Sequence, residues 1–65
     1  NNMSDFKSRL VAEQKELDEK LTKLNAFNSG EKVKDLSPEQ QSYLLIQAGA
    51  MYTYNECLKA RLQGL

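Results

Sequence analysis

Histidine is absent from this chain, and cysteine and proline each occur once. Without an imidazole, the usual general acid or base near neutral pH is missing. A lone cysteine with no base beside it is a poor nucleophile. The same scarcity excludes an internal disulfide and leaves no histidine–cysteine set for a metal. Gly30 and Gly49 stand isolated, so no glycine loop is present to cradle a phosphate. No apolar run approaches the ~18 residues of a membrane span, and no signal-peptide pattern is visible. Nine basic residues balance nine acidic ones, which argues against a long polyanion such as DNA or RNA as partner. The expectation is a protein that is not an enzyme, carries no metal or cofactor, and binds neither membrane nor nucleic-acid polymer.

With 65 residues the chain forms one domain, spanning 1–65. A domain of this size buries only about 60% of its unfolded surface and is marginal unless stapled or assembled. Disulfides and metals being absent, assembly is the remaining route. A free cysteine fits a reducing, cytoplasmic setting. Asn1 and Asn2 precede Met3, which is read as the natural start, the pair being a leftover ahead of it.

What is present is helical periodicity, with no strand-like alternation, repeat or low-complexity tract. Leu44, Ala48, Met51, Asn55, Leu58, Leu62 and Leu65 recur at alternating spacings of four and three. That is the core pattern of a helix packed lengthwise on others. A second apolar strip, Tyr43, Leu45, Ile46, Ala50, Tyr52, Tyr54 and Cys57, runs beside it. A helix apolar on most of its circumference is buried on more than one side. One short partner helix cannot cover it, which places this stretch at the centre of an oligomer.

This helix, expected over 38–63, has a clear start. Ser37 is the N-cap, Pro38 sits at the first helical position, and Gln40 completes a Ser-x-x-Gln capping box. Gly49 in its interior costs about 1 kcal/mol relative to alanine, so a close helix crossing or a local bend is expected there. Ahead of it, a helix over about 4–27 carries Phe6, Leu10, Leu17, Leu21, Leu24 and Phe27 on one face, with Val11 alongside. Ser4 is its expected N-cap, with Asp5 facing the helix dipole. Glu13 and Gln14 leave a polar gap in the apolar face. Glu16–Lys20 and Glu19–Lys23 are favourable i,i+4 pairs on the solvated side. Gly30 is expected in the left-handed conformation past the helix end. In the connection, residues 28–36, Val33 and Leu36 can cover the end of the core. The fold class is all-α: two long helices in a hairpin with a short connection, assembled as a homo-oligomer.

Several residues admit a chemical reading. Glu13 and Glu16 could be paired carboxylates, but at this composition they read as ordinary surface charge. Cys57 reads as a small apolar packing residue. Asn55, the lone polar residue in the heptad seam, is expected to fix register and oligomer number through an Asn–Asn hydrogen bond, with ligand contact or simple exposure as the alternatives. Phe6, Tyr43, Tyr52 and Tyr54 serve either as packing or as a stacking platform for a planar ligand. Arg9, Lys20 and Arg61 lie near apolar stripes. They either lay their stems over apolar surface or hold the phosphate of such a ligand.

Two strings carry a wider likeness. The first is Arg9-Leu-Val-Ala-Glu13, Lys15-Glu-Leu-Asp-Glu-Lys-Leu21, Lys23-Leu24 and Phe27. The second is Leu36-Ser-Pro-Glu-Gln-Gln41, Leu44-Leu45, Gln47, Met51, Tyr54, Leu58 and Arg61-Leu62. Together, over about residues 6–62, the chain resembles the small phage anti-CBASS cyclic-oligonucleotide sponges, related to a family first labelled from crAss-like phages. The resemblance implies a homo-hexamer in the host bacterial cytoplasm that captures cyclic di- and trinucleotide messengers between subunits without cleaving them. It implies phosphate contacts from Lys20 and Arg61, and a polar contact from Thr22. Phe6 is the candidate for the family's base-stacking aromatic, without a hydroxyl to donate. Two symmetry-related copies of Lys20 would suit a ligand with two phosphates. Two alternatives stand beside it: an adaptor coiled-coil module that docks another protein, and a small enzyme or regulator with an unrecognised site.

Overall fold

A computed structural model describes residues 3–65; Asn1 and Asn2, and the reading of them as a leftover, lie outside the described residues. The chain forms helix α1 (Met3–Asn28), a short 3-10 turn η1 (Lys32–Asp35) and helix α2 (Pro38–Gln63). The two helices pack as a hairpin measuring 47 × 16 × 15 Å. Its radius of gyration is 14.9 Å, against about 11 Å for a compact domain of this length. The protomer is a rod with one seam.

The seam is the heptad row of α2 facing a matching row of α1. On α1 the row is Leu10, Gln14, Leu17, Leu21, Leu24 and Asn28, again at spacings of four and three. Leu10, Leu17 and Leu58 form the buried cluster, with Met51 and Leu62 packed against it. Leu21 and Ala48 are buried as well. The polar gap on α1 now has a cause, because Gln14 meets the one polar residue of the opposing row. Gln14 Nε2 donates to Asn55 Oδ1 at 3.1 Å, and Asn55 Nδ2 donates to Asp18 Oδ1 at 2.8 Å. Asn55 is 2% exposed, so its partners decide whether it is tolerable there. The expected Asn–Asn bond between copies is replaced by bonds inside one protomer, and the register Asn55 fixes is that of the hairpin.

The connection is tight. Ser29 N–H bonds the Asn25 carbonyl in a last α-helical turn and Gly30 N–H bonds the Phe27 carbonyl, both at 3.1 Å, so the helix end tightens by one three-residue turn at Gly30. No described glycine has a positive φ, which corrects the left-handed expectation at Gly30. Val33 is buried as expected, while Leu36 stays partly exposed. Asn28 Nδ2 reaches across to the Leu44 carbonyl at 3.2 Å, tying the end of α1 to the beginning of α2. Ser37 Oγ accepts from Gln40 N–H at 3.2 Å, the capping bond expected of it. A separate bond also ties this turn, from Gln41 Nε2 to the Leu36 carbonyl at 2.9 Å, in place of the reciprocal Ser37 N–H to Gln40 bond expected of a capping box. At the other end Ser4 lies within α1 rather than ahead of it, because the helix already includes Met3.

The second apolar strip of α2 stays open. Tyr43, Leu45, Ile46 and Tyr52 are each about 60% exposed or more (61%, 63%, 66% and 59%). A Cβ placed on Gly49 would meet nothing within 4 Å, so no close crossing occurs there within the protomer. Cys57, read as a small packing residue on this strip, is exposed on the protomer. No helix among the described residues is long and apolar enough to cross a membrane.

Candidate functional site

One groove lies beside the seam, with a volume of about 410 Å³ and one side open to solvent. Arg9, Ala12, Glu13, Glu16, Leu17 and Lys20 line it from α1, and Tyr54 lines it from α2. Helical spacing assembles it. Arg9, Glu13, Glu16 and Lys20 follow one another at four, three and four residues, so they stack on one face of α1. Leu17 reaches in from the adjacent seam, and Ala12 leaves room because it is small. The charge order along the stripe is plus, minus, minus, plus. Arg9 and Lys20 are eleven residues apart, about 16 Å along the axis, so the cations stand at the ends and the carboxylates between them.

The cross-helix wall is held by neighbours in sequence. Tyr54 hydroxyl donates to Glu13 Oε2, while the next residue on each helix forms the Gln14–Asn55 bond. Two consecutive residues of α2 thus grip two consecutive residues of α1, fixing both the rotation of α2 and the place of the phenol ring. Glu16 pairs with Lys20 at 3.3 Å on an exposed surface, so that pair contributes little to stability but tempers both charges. The companion pair expected between Glu19 and Lys23 is not formed. Outside the groove, Lys59 donates to Glu56 at 3.2 Å. That hydrogen bond, and then the Glu56 charge, holds its ammonium above the ordinary lysine value.

Of the five residues expected to bind ligand, Arg9 and Lys20 come together in the groove. Phe6 lies one turn ahead of Arg9 and is 41% exposed, outside the lining. Thr22 follows Lys20 by two residues, which turns it roughly 200° around the helix. Its hydroxyl donates to the Asp18 carbonyl at 2.9 Å. Arg61 is in the last turn of α2, two turns beyond Tyr54 on the same face and outside the groove. The residues missed were Glu13 and Glu16, which were set aside as surface charge. Tyr54 was among the four aromatics read as packing or as a stacking platform, and the groove singles it out from them. The signal for the two acids was the regular 9-13-16-20 spacing, and for Tyr54 its adjacency to the seam residue Asn55.

Residues 4–63 match the Sequestin family. The chain belongs to the Sequestin family. No curated protein and no solved structure matches it. The match begins within the first turn of α1 and ends at the last residue of α2, so the whole hairpin, including every groove residue, is family sequence.

Proposed function

We propose that this Sequestin-family protein binds and withholds a small phosphate-bearing nucleotide messenger without cleaving it. The messenger class proposed is the cyclic di- and trinucleotides, withheld from CBASS antiphage signalling in the host cytoplasm by a phage protein. The observation that carries the reading is the groove, in which Arg9 and Lys20 flank a tyrosine ring. Guanidinium and ammonium groups hold phosphate by charge-assisted hydrogen bonds, and a ring in the same groove can stack a base. Its volume of about 410 Å³ falls within the ~300–1,000 Å³ of small-molecule sites. The family name itself speaks of sequestration, and the resemblance to cyclic-oligonucleotide sponges points the same way. Sequestration requires binding and release of an intact ligand, for which no acid, base or metal is needed.

The groove is open on one side, whereas a tightly held ligand is normally 70–90% buried. A second copy of the chain is the proposed cover. The protomer exposes 4991 Å², against about 4,200 Å² for a folded monomer of 7.4 kDa. The excess is about 800 Å², roughly what one partner buries in an interface of standard size. The proposed assembly is a homo-oligomer, with six copies as the number the resemblance implies. In it Arg61, on the face of Tyr54, and Phe6, near Arg9, are free to extend a neighbour's groove.

The open strip of α2 also favours a second reading, an adaptor that docks another protein. Native mass spectrometry with a mixture of cyclic di- and trinucleotides separates the two. Sequestration predicts a closed oligomer carrying nucleotide, an upward shift of the melting curve, and nucleotide recovered unchanged. At a hundredfold excess over Kd the stabilisation is about 2.7 kcal/mol per site. An adaptor stays monomeric or dimeric and nucleotide-free until its protein partner is added. If no member of the panel binds, the sequestration reading falls.

A further inference from the structure

The groove is a poor site for phosphate alone. Two cations at its ends are matched by two carboxylates in its middle, and a carboxylate facing a phosphate repels it. Glu16 is tempered by Lys20 at 3.3 Å. Glu13 has no such cation. Its Oε2 accepts the Tyr54 hydroxyl, and a carboxylate with two oxygens retains further acceptor sites after that bond. An ionised acceptor held in a binding groove costs affinity for anions unless the ligand brings hydrogen-bond donors to it.

We infer that Glu13 is the specificity-determining residue of the groove, reading the exocyclic amino group of a purine whose phosphates are held by a cation at the groove's end, Arg9 or Lys20. The inference rests on the sequestration reading and adds to it which part of the ligand is recognised. Purines offer donors of the required kind: the 6-amino group of adenine and the 2-amino group of guanine. Phosphate offers only acceptors. Tyr54 serves two purposes, since its ring is a stacking surface and its hydroxyl holds the carboxylate beside that surface. A base lying on the ring brings its edge alongside Glu13. In a cyclic dinucleotide the phosphates lie together in the central ring and the bases project outward, so a base edge at Glu13 leaves the phosphates to face the cation at one end of the groove. In this arrangement Tyr54 is a positioning residue for Glu13 as well as a contact.

The test is isothermal titration calorimetry of the full chain with cyclic di-AMP, cyclic di-GMP and cyclic di-IMP. Hypoxanthine keeps the ring size, the riboses and the phosphates but has no exocyclic amino group. The wild type is expected to bind at least one amino-bearing ligand about tenfold or more tightly than cyclic di-IMP. Glu13→Gln keeps the shape and an acceptor for Tyr54, and removes the charge. It is expected to bring that ratio close to one, partly by tightening cyclic di-IMP as repulsion is relieved. Tyr54→Phe keeps the stacking ring, frees the carboxylate, and is expected to lower the ratio by a smaller factor. Glu19→Gln, which removes a charge from α1 outside the groove, is expected to leave it unchanged. Equal wild-type binding of all three ligands, or an unchanged ratio in Glu13→Gln, overturns the assignment while leaving sequestration intact. A wild type that binds none of them overturns the assignment, and sequestration falls with it if the cyclic trinucleotides also fail to bind. A melting curve by circular dichroism on each variant separates lost recognition from lost folding.

Discussion

The two faces of α2 have exchanged the roles their compositions suggest. The face turned to α1 presents Leu44, Ala48, Met51, Asn55, Leu58 and Leu62, with a fully buried amide and a small alanine among them. The face turned away presents Tyr43, Leu45, Ile46, Ala50 and Tyr52, which is at least as apolar and lies open. A helix that functioned as half of an isolated hairpin would carry its larger side chains inward and charge outward. Here the inward face sets register and the outward face keeps most of its hydrophobic area unspent. The difference teaches that the hairpin seam specifies one protomer, and that further apolar burial must come from outside it.

The seam is broken most severely at Leu58, which is 0% exposed and central to the cluster with Leu10 and Leu17. Leu58→Ala is expected to cost about 2–5 kcal/mol. For a chain of this length the whole stability is on the order of 3–10 kcal/mol, so much of the fold is at stake. A circular-dichroism melt should show a large downward shift, and an unchanged midpoint would mean the seam is not what holds the helices together.

The outer face calls for the converse experiment. Ile46→Glu, at a position 66% exposed, should alter the stability of a single protomer by no more than about 0.5 kcal/mol. In the proposed assembly the same change buries a charge and should abolish association, read by sedimentation velocity as a shift to monomer with helicity retained. Ile46→Glu sedimenting with the wild type would remove this face from the interface.

A smaller effect probes the polar layer of the seam. Asn55→Leu deprives Gln14 and Asp18 of their partner and should cost about 1–3 kcal/mol in urea denaturation. Joining it with Gln14→Leu replaces a polar pair by an apolar one and should recover most of that loss. A double variant no more stable than the single would show that the Asp18 contact, not the Gln14 one, carries the layer.

The hairpin was legible because its signals are local. The 4-3 spacing from Leu44 onward, the Ser37-Pro38 start and the break after Phe27 each act over a few residues, and each has its counterpart in the structure. The groove was only half legible. Arg9 and Lys20 stand out as cations near an apolar stripe, but Glu13 gains its role from Tyr54, forty-one residues away. Spacing along one helix does not say which residue of the other stands opposite until the register is known. Asn55 set that register, and it was read as a contact between copies because its partner Gln14 looked like a flaw in the apolar face of α1. Two polar residues that each look misplaced alone are a pair once the helices are antiparallel. Gly30 misled for a different reason: the helix end closes with one three-residue turn, Gly30 N–H to the Phe27 carbonyl, and has no need of a positive φ.

The finest test of the comparison is Gly49→Ala, because the two faces assign it opposite signs. Gly49 lies on the open side of α2, with nothing within 4 Å of where a Cβ would stand. Its backbone is helical, with no positive φ to protect. For a lone protomer, alanine should therefore stabilise the helix by up to about 1 kcal/mol through propensity alone. Should a second helix cross at Gly49 in the assembly, that methyl group occupies the space the crossing needs. Dilution experiments would then show weaker association even as the monomer melts higher. Both quantities are measurable on one variant, by thermal melts at low concentration and sedimentation at high concentration. A gain in both would move the crossing away from Gly49, toward the Tyr43–Ile46 end of the strip, where the side chains are larger and the helices would stand farther apart.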